Sequence, residues 1–154
     1  MSIWKELYDI FNHERNLWQK RGADKQALVF EIKSNLTFLA DALQSQLQQE
    51  NIISNLDTAV FEKAIAEGFA LNAINKNTLS INTIANFNEF KKYLDKDTES
   101  LIKNAYLKIA SLKKLIKANK NKDYSLKIKS LFRFLVLLLA HLENRPLKKR
   151  IIKN

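Results

Sequence analysis

Residues 131–142 read Leu-Phe-Arg-Phe-Leu-Val-Leu-Leu-Leu-Ala-His-Leu, and all but Arg133 and His141 are apolar. A run that is apolar nearly all round a helix is typical of a helix that other helices surround. At twelve residues it is too short to span a bilayer, which takes about 20. The sequence therefore predicts a central helix from about Tyr124 to Asn144, ended by Arg145-Pro146.

The helix before it has the clearest periodicity in the chain. We expect it to begin at Asp95 or Asp97 and to be followed by a loop over residues 119–123. Apolar residues spaced by 3 and 4 form the seam expected of a packed helix, namely Ile102, Ala105, Ile109, Leu112 and Ile116.

The first half of the chain predicts further helices. The first runs from about Ser2 to Lys20, and the second, capped by Asp24, is expected to extend for about seven turns. The apolar stripe of the second consists of Leu28, Ile32, Leu36, Leu39, Leu43 and Leu47.

Shorter elements are expected in the middle of the chain. Asn51–Leu56 is predicted to be a connection, and Asp57 to cap a short helix that ends at Gly68. A further helix, with no clear start, is indicated by Ile81, Ile84, Phe87, Phe90 and Leu94. The whole pattern, with only two glycines and one proline, predicts an all-α fold. We expect a single bundle of five or six helices over residues 1–144 and a basic tail over residues 145–154.

Composition excludes several kinds of chemistry. The chain has no cysteine, which removes disulfides, thiolate metal sites and a cysteine nucleophile. Gly22 and Gly68 stand alone, so no phosphate-cradling loop is predicted, and we expect neither a cofactor nor a metal. The polar residues in Met1–Glu6 do not form the apolar run of a signal peptide, and we expect a cytoplasmic protein without a transmembrane segment.

The positive charge is concentrated in the C-terminal third. Residues 103–154 contain twelve lysines and three arginines against Asp123 and Glu143 alone, a net charge of +13, whereas the whole chain carries +10. A surface of this kind is expected to meet a polyanion or an acidic partner.

Helical spacing places several of these cations together. Lys103, Lys114 and Lys117 fall within about 60° on one helix, with Lys113 beside them. The predicted nucleic-acid-binding residues are Lys103, Lys113, Lys114, Lys117, Lys120, Lys122, Lys127, Lys129, Lys148, Lys149 and Arg150. Tyr106 and Tyr124 are the only aromatic candidates for base stacking among them. A lysine face exposed only to water would have the same pattern.

A second polar strip lies on the apolar helix. At 100° per residue, its polar side chains share one sector about 120° wide, and we expect this sector to face water. Its members are Lys129, Ser130, Arg133, His141 and Asn144.

Arg133 and His141 also have a catalytic interpretation, because histidine transfers protons near neutral pH and arginine stabilises phosphate charge. A bundle with both residues on a late helix resembles the HEPN ribonucleases, whose motif is an Arg followed by about four to six residues and then His. The resemblance implies metal-independent RNA cleavage. Here seven residues separate the pair, and Phe134 replaces the polar residue that usually follows the Arg.

The function that the sequence favours is non-enzymatic: a small basic helical module that contacts nucleic-acid backbone through its C-terminal third, as part of a larger assembly. One alternative is a protein-interaction or adaptor subunit, antitoxin-like or accessory to a bacterial defence system, that docks an acidic partner. The other is the HEPN-like ribonuclease.

Overall fold

The computed structural model describes residues 5–12 and 27–147, and within these ranges every regular element is helical. The all-α bundle is confirmed. Its α-helices are α1 (residues 5–12), α2 (Ala27–Gln44), α3 (Gln49–Ser54), α4 (Ala59–Ala66), α5 (Ile81–Ile84), α6 (Thr98–Ala118) and α7 (Ser125–Leu142). Two 3-10 segments, Leu71–Ala73 and Asn88–Tyr93, lie between them. The described part thus holds more helices than the five or six expected, because several are only one or two turns long.

Helix α7 is the most deeply buried element of the bundle. From Leu131 to Leu142 every residue except Arg133 is buried, and α7 packs against α2, α5 and α6. Phe132 also meets Tyr8 and Phe11 of α1, with ring centroids 6.0 and 5.8 Å away. A helix that is apolar on every side needs neighbours on every side, and the other helices supply them.

Helix α6 follows its predicted pattern. The whole predicted seam is buried, and the helix packs on α7 and α3. Of the two candidate caps Asp97 is the one used, since its carboxylate accepts the backbone N–H of Ser100 at 2.8 Å. This bond and the Ser100 side chain hold the pKa of Asp97 below its usual value. Asp95 instead has a positive φ of 67° in the turn before the helix.

Helix α2 is shorter than predicted. It ends at Gln44, where Ser45 bonds to the carbonyl of Ala42, so Leu47 is exposed rather than on the apolar stripe. The predicted connection Asn51–Leu56 is also wrong. Helix α3 covers most of it, because the buried side chains of Ile52 and Ile53 outweigh the turn preference of the flanking asparagines.

The N-terminus of α4 is capped by another helix. Asp57 was expected to cap it, but Thr58 holds the cap position and makes no capping bond with its side chain. The buried carboxylate of Glu31, from α2, instead accepts the N–H groups of Val60 at 2.8 Å and Phe61 at 3.2 Å. These are unpaired donors of the first turn, so a long-range bond replaces the local cap.

The C-terminus of α4 follows the sequence. Gly68 has a φ of +70°, and its N–H bonds to Ile65 while that of Phe69 bonds to Ala64. This is the Schellman arrangement that glycine favours.

The helix predicted around Ile81 to Leu94 is two separate elements. Ala85 has a positive φ of 50° and separates α5 from the 3-10 segment Asn88–Tyr93. The apolar side chains of Ile84, Phe87 and Phe90 are nonetheless buried. Their shared burial in the core therefore explains why the spacing of these residues resembled that of one continuous helix.

Helix α7 ends before the predicted Arg-Pro break. Asn144 adopts a left-handed φ of 54°, and the N–H of Arg145 bonds to Ala140 in a second Schellman arrangement. The chain then returns to the bundle, where buried Leu147 donates its N–H to Thr83. The extent of the first helix beyond residue 12 and the cap at Asp24 lie outside the described residues, as do the cations Lys148, Lys149 and Arg150.

We predict that Leu135→Ala or Leu138→Ala lowers the free energy of unfolding by about 2–5 kcal/mol, because each leaves a cavity in a packed core. Leu126→Ala on the same helix is the matched control: Leu126 is 79% exposed, and its loss should cost less than about 0.5 kcal/mol. Urea unfolding of the three variants measures this. Equal losses at core and control positions would contradict the central placement of α7.

Candidate polyanion-binding surface

Three of the predicted cations form a strip on the outer side of α6. Lys103, Lys114 and Lys117 are exposed, and helical geometry places them within about 60°, away from the buried seam. The seam occupies one side of the helix, so charged residues fill the other. We call these three residues the α6 strip.

Carboxylates from other positions neutralise part of the surface. Lys103 pairs with Glu99 at 2.9 Å, and Lys120 in the following loop pairs with Glu50 of α3 at 3.2 Å. Both pairs are exposed and contribute little to stability. Within the described part of the chain, Lys114, Lys117 and Lys122 have no such pair, so on α6 and the loop after it they are the exposed cations best able to meet an external anion.

Lys113 differs from its neighbours on α6. It is half-buried, and its amine donates to the backbone carbonyl of Leu56 at 2.6 Å. This bond fixes the end of α3 and the following turn against α6. Lys113 therefore has a structural partner that Lys114 and Lys117 lack.

The two predicted lysines of α7 lie on different sides of the helix. Two residues apart, Lys127 and Lys129 are separated by about 160°. Lys129 lies near Asp123, whose pKa is lowered chiefly by hydrogen bonds from Ser125 and to a smaller degree by Lys129. Lys127 instead faces α6, so the two do not belong to one surface.

Lys127 belongs to a cluster that the sequence analysis missed. Lys108 of α6 lies near both Lys127 and Lys92, and its pKa is lowered first by burial and then by these two cations. Its amine is also 5.3 Å from the ring centroid of Phe134. Lys108 flanks the apolar seam, one turn from Leu112. That spacing could have predicted a lysine at the edge of the buried face of α6. Nothing in the sequence indicated that Lys92 joins this cluster, because its segment was predicted to be part of a single helix.

A groove of about 320 Å³ lies between α6 and α7 at this cluster. Its lining combines apolar, hydroxyl and cationic side chains, among them Leu107, Lys108, Ser111, Lys127, Ser130 and Leu131. The groove therefore has the volume of a small ligand pocket and carries two lysines in its lining.

The two tyrosines considered for base stacking are buried. The hydroxyl of Tyr106 donates to Glu31 at 2.7 Å, its ring stacks on Phe61 at 4.1 Å, and burial raises its pKa. The hydroxyl of Tyr124 is 2.9 Å from the carbonyls of Leu115 and Asn119. Neither ring is available to a base, so the stacking interpretation is wrong.

His141 is part of a buried polar network rather than a solvated edge. It is 1% exposed, and its Nε2 lies 2.8 Å from the hydroxyl of Thr98. That hydroxyl donates its single hydrogen to the carbonyl of Asn75 at 2.5 Å, so Nε2 must carry a proton and donate to Thr98. The Asn75 amide in turn donates to the carbonyl of His141 at 2.7 Å. Burial lowers the pKa of His141, which favours the neutral ring.

Arg133 lies elsewhere on α7. It is partly exposed and 3.8 Å from a carboxylate oxygen of Glu89, in the 3-10 segment Asn88–Tyr93. His141 follows Arg133 by eight positions on the helix, which places them about 12 Å apart along its axis. Both side chains have structural partners of their own, and the geometry does not bring them together.

Other kinds of site have no support in the described ranges. Residues 5–12 and 27–147 contain no group of three or more side chains placed to hold a metal ion. No helix in this part of the chain has the length and apolar character needed to cross a membrane. Comparison with protein-family models, with curated proteins and with solved structures finds no match to this chain.

We predict that stability falls as the pH drops below about 6.5, the ordinary histidine pKa. The pKa of His141 is lower in the native state than in the unfolded chain. As the pH falls, the unfolded chain therefore binds the proton first, and this binding stabilises the unfolded state relative to the native one. For this one proton the slope cannot exceed about 1.4 kcal/mol per pH unit. Urea midpoints between pH 5 and pH 8 measure it.

The two histidines provide the control. The pH dependence should persist in His13→Gln and disappear in His141→Gln, whose amide can still donate to Thr98. A dependence that follows His13 instead would contradict the buried, neutral state of His141.

Proposed function

We propose that this protein is a non-enzymatic module of the cytoplasm that binds the phosphate backbone of nucleic acid within a larger assembly. The contact surface comprises the α6 strip and the loop that follows it. The observation that carries the proposal is that Lys114, Lys117 and Lys122 are exposed and have no ion pair among the described residues.

The small number of carboxylates in the C-terminal third supports this assignment. Glu143 pairs with the buried amine of Lys33 at 2.8 Å, and Asp123 accepts the N–H of Ser125 at the start of α7. Glu143 therefore has a role in the bundle, and Asp123, exposed beside Lys122 in the loop, is the one carboxylate of the C-terminal third within the proposed surface. An external polyanion is the partner that such uncompensated charge attracts.

The expected recognition is independent of sequence. Lysines contact phosphates as point charges, and no exposed aromatic ring accompanies them in the α6 strip. Binding then depends on counterion release and weakens steeply with salt. The tail cations Lys148, Lys149 and Arg150 are expected to add phosphate contacts to those of Lys103, Lys114, Lys117, Lys120 and Lys122.

We predict that wild-type protein binds a 20-base-pair duplex with a log-log salt slope of about −5, as expected for about six phosphate contacts. Replacing Lys114, Lys117 and Lys122 together by Gln should reduce the slope by about 3 and weaken binding at least about tenfold. Fluorescence anisotropy at several salt concentrations measures both quantities.

The matched control replaces Lys76, Lys91 and Lys96 by Gln, and none of these lysines has an ion pair among the described residues. These lysines are exposed and lie outside the C-terminal third, and each triple variant lowers the net charge of +10 by the same three units. The control should keep a slope within about 1 of wild type. Equal losses in both variants, or no wild-type binding at low salt, would overturn the proposal.

A further inference from the structure

The groove between α6 and α7 offers apolar surface that the bundle leaves uncovered. Leu107 is 70% exposed and Leu115 is partly exposed, and both line the groove beside the buried Leu112 and Leu131. Five of the other six leucines and isoleucines of α6 are buried, so Leu107 is the apolar side chain of this helix that a partner could cover most. Contact with an apolar group would remove this surface from water.

The same groove is lined by cations and no carboxylate. Lys108 and Lys127 belong to its lining, and Lys92 is close enough to lower the pKa of Lys108. Three like charges brought together repel one another, so an anionic group placed among them gains more than it would beside one lysine. Ser111 and Ser130 add hydroxyl groups able to donate hydrogen bonds.

We propose that this groove docks an amphipathic helix of a partner protein, with leucine-like side chains on one face and Glu or Asp beside them. The apolar face of such a helix would cover Leu107 and the groove lining. Its flanking carboxylates would pair with Lys108 and Lys127, so one ligand would satisfy both the apolar surface and the clustered cations. Recognition of a helix in a groove takes this form. Phosphate backbone would satisfy the lysines but leave Leu107 exposed to water.

Charge argues against an occupant from this chain. Residues 13–26 contain four cationic and two acidic side chains, and residues 148–154 contain four cationic and none acidic. A second copy of the chain brings a net charge of +10 to a groove that is already cationic. An acidic partner has the complementary charge.

The groove is separate from the surface proposed for nucleic acid. On α6, Lys108 lies about 120° to 180° round the helix from the residues of the α6 strip. A partner helix and a duplex can therefore bind at the same time. This docking does not depend on nucleic-acid binding, and either can fail without the other.

The test uses a fluorescein-labelled 18-residue peptide of Leu, Glu and Ala, with Leu at i, i+3, i+4 and i+7 and Glu flanking that face. We expect wild-type protein to bind it and Leu107→Ser and Lys108→Glu each to weaken binding at least tenfold. The matched controls Leu126→Ser and Lys76→Glu change an exposed leucine and an exposed lysine outside the groove, and should change binding less than twofold. Amide shifts in NMR spectra should map to residues 104–115 and 127–131.

Several results would overturn the proposal. One is the absence of binding by wild type; another is equal loss in the groove and control variants. Equal binding of a peptide with every Glu replaced by Lys would remove the charge argument. Displacement of the peptide by the 20-base-pair duplex, with shifts at the same groove amides, would make the groove a nucleic-acid site instead.

Discussion

Burial of α7 is the constraint on which the remaining structure depends. Its residues from Leu131 to Leu142 are apolar on nearly every side, so the helix is stable in water only when other helices cover it. Helices α2 and α6 cover two of its sides, and α5 packs near its C-terminal end. The few polar groups in this core have specific partners, as in the bonds from His141 to Thr98 and from Glu31 to the start of α4. Such bonds fix how the helices sit, because an unpaired buried polar group is costly.

The distribution of charge follows from the same constraint. The apolar side chains of the C-terminal third are largely used inside α7 and in the inner seam of α6, so its lysines lie on the outer side of α6 and in the loop. Some are paired, as Lys103 is with Glu99, and Lys113 bonds to a backbone carbonyl. Lys114, Lys117 and Lys122 remain exposed, while Lys108 and Lys127 flank the groove. These five lysines therefore belong to two surfaces that differ in character.

The sequence predicted what depends on local periodicity. The seam of α6 and the glycine end of α4 follow from spacing and residue type, which also restricted the cap of α6 to Asp95 or Asp97. What it missed depends on distant contacts: Glu31 caps α4 from another helix, Ile52 and Ile53 make α3 helical by packing on the bundle, and Ala85 interrupts an apparently regular stripe. The solvated edge predicted for α7 failed at His141 for the same reason, since Asn75 and Thr98 come from remote parts of the chain.

The central proposal is that the buried helix α7 organises a bundle whose outer α6 side and following loop bind polyanions. The most direct test is an amide chemical-shift map of the labelled protein titrated with a short duplex at low salt. The account predicts shifts over residues 113–122, with the core amides of residues 134–140 unchanged. Shifts confined to α2 and α4, or spread through the core of α7, would contradict it.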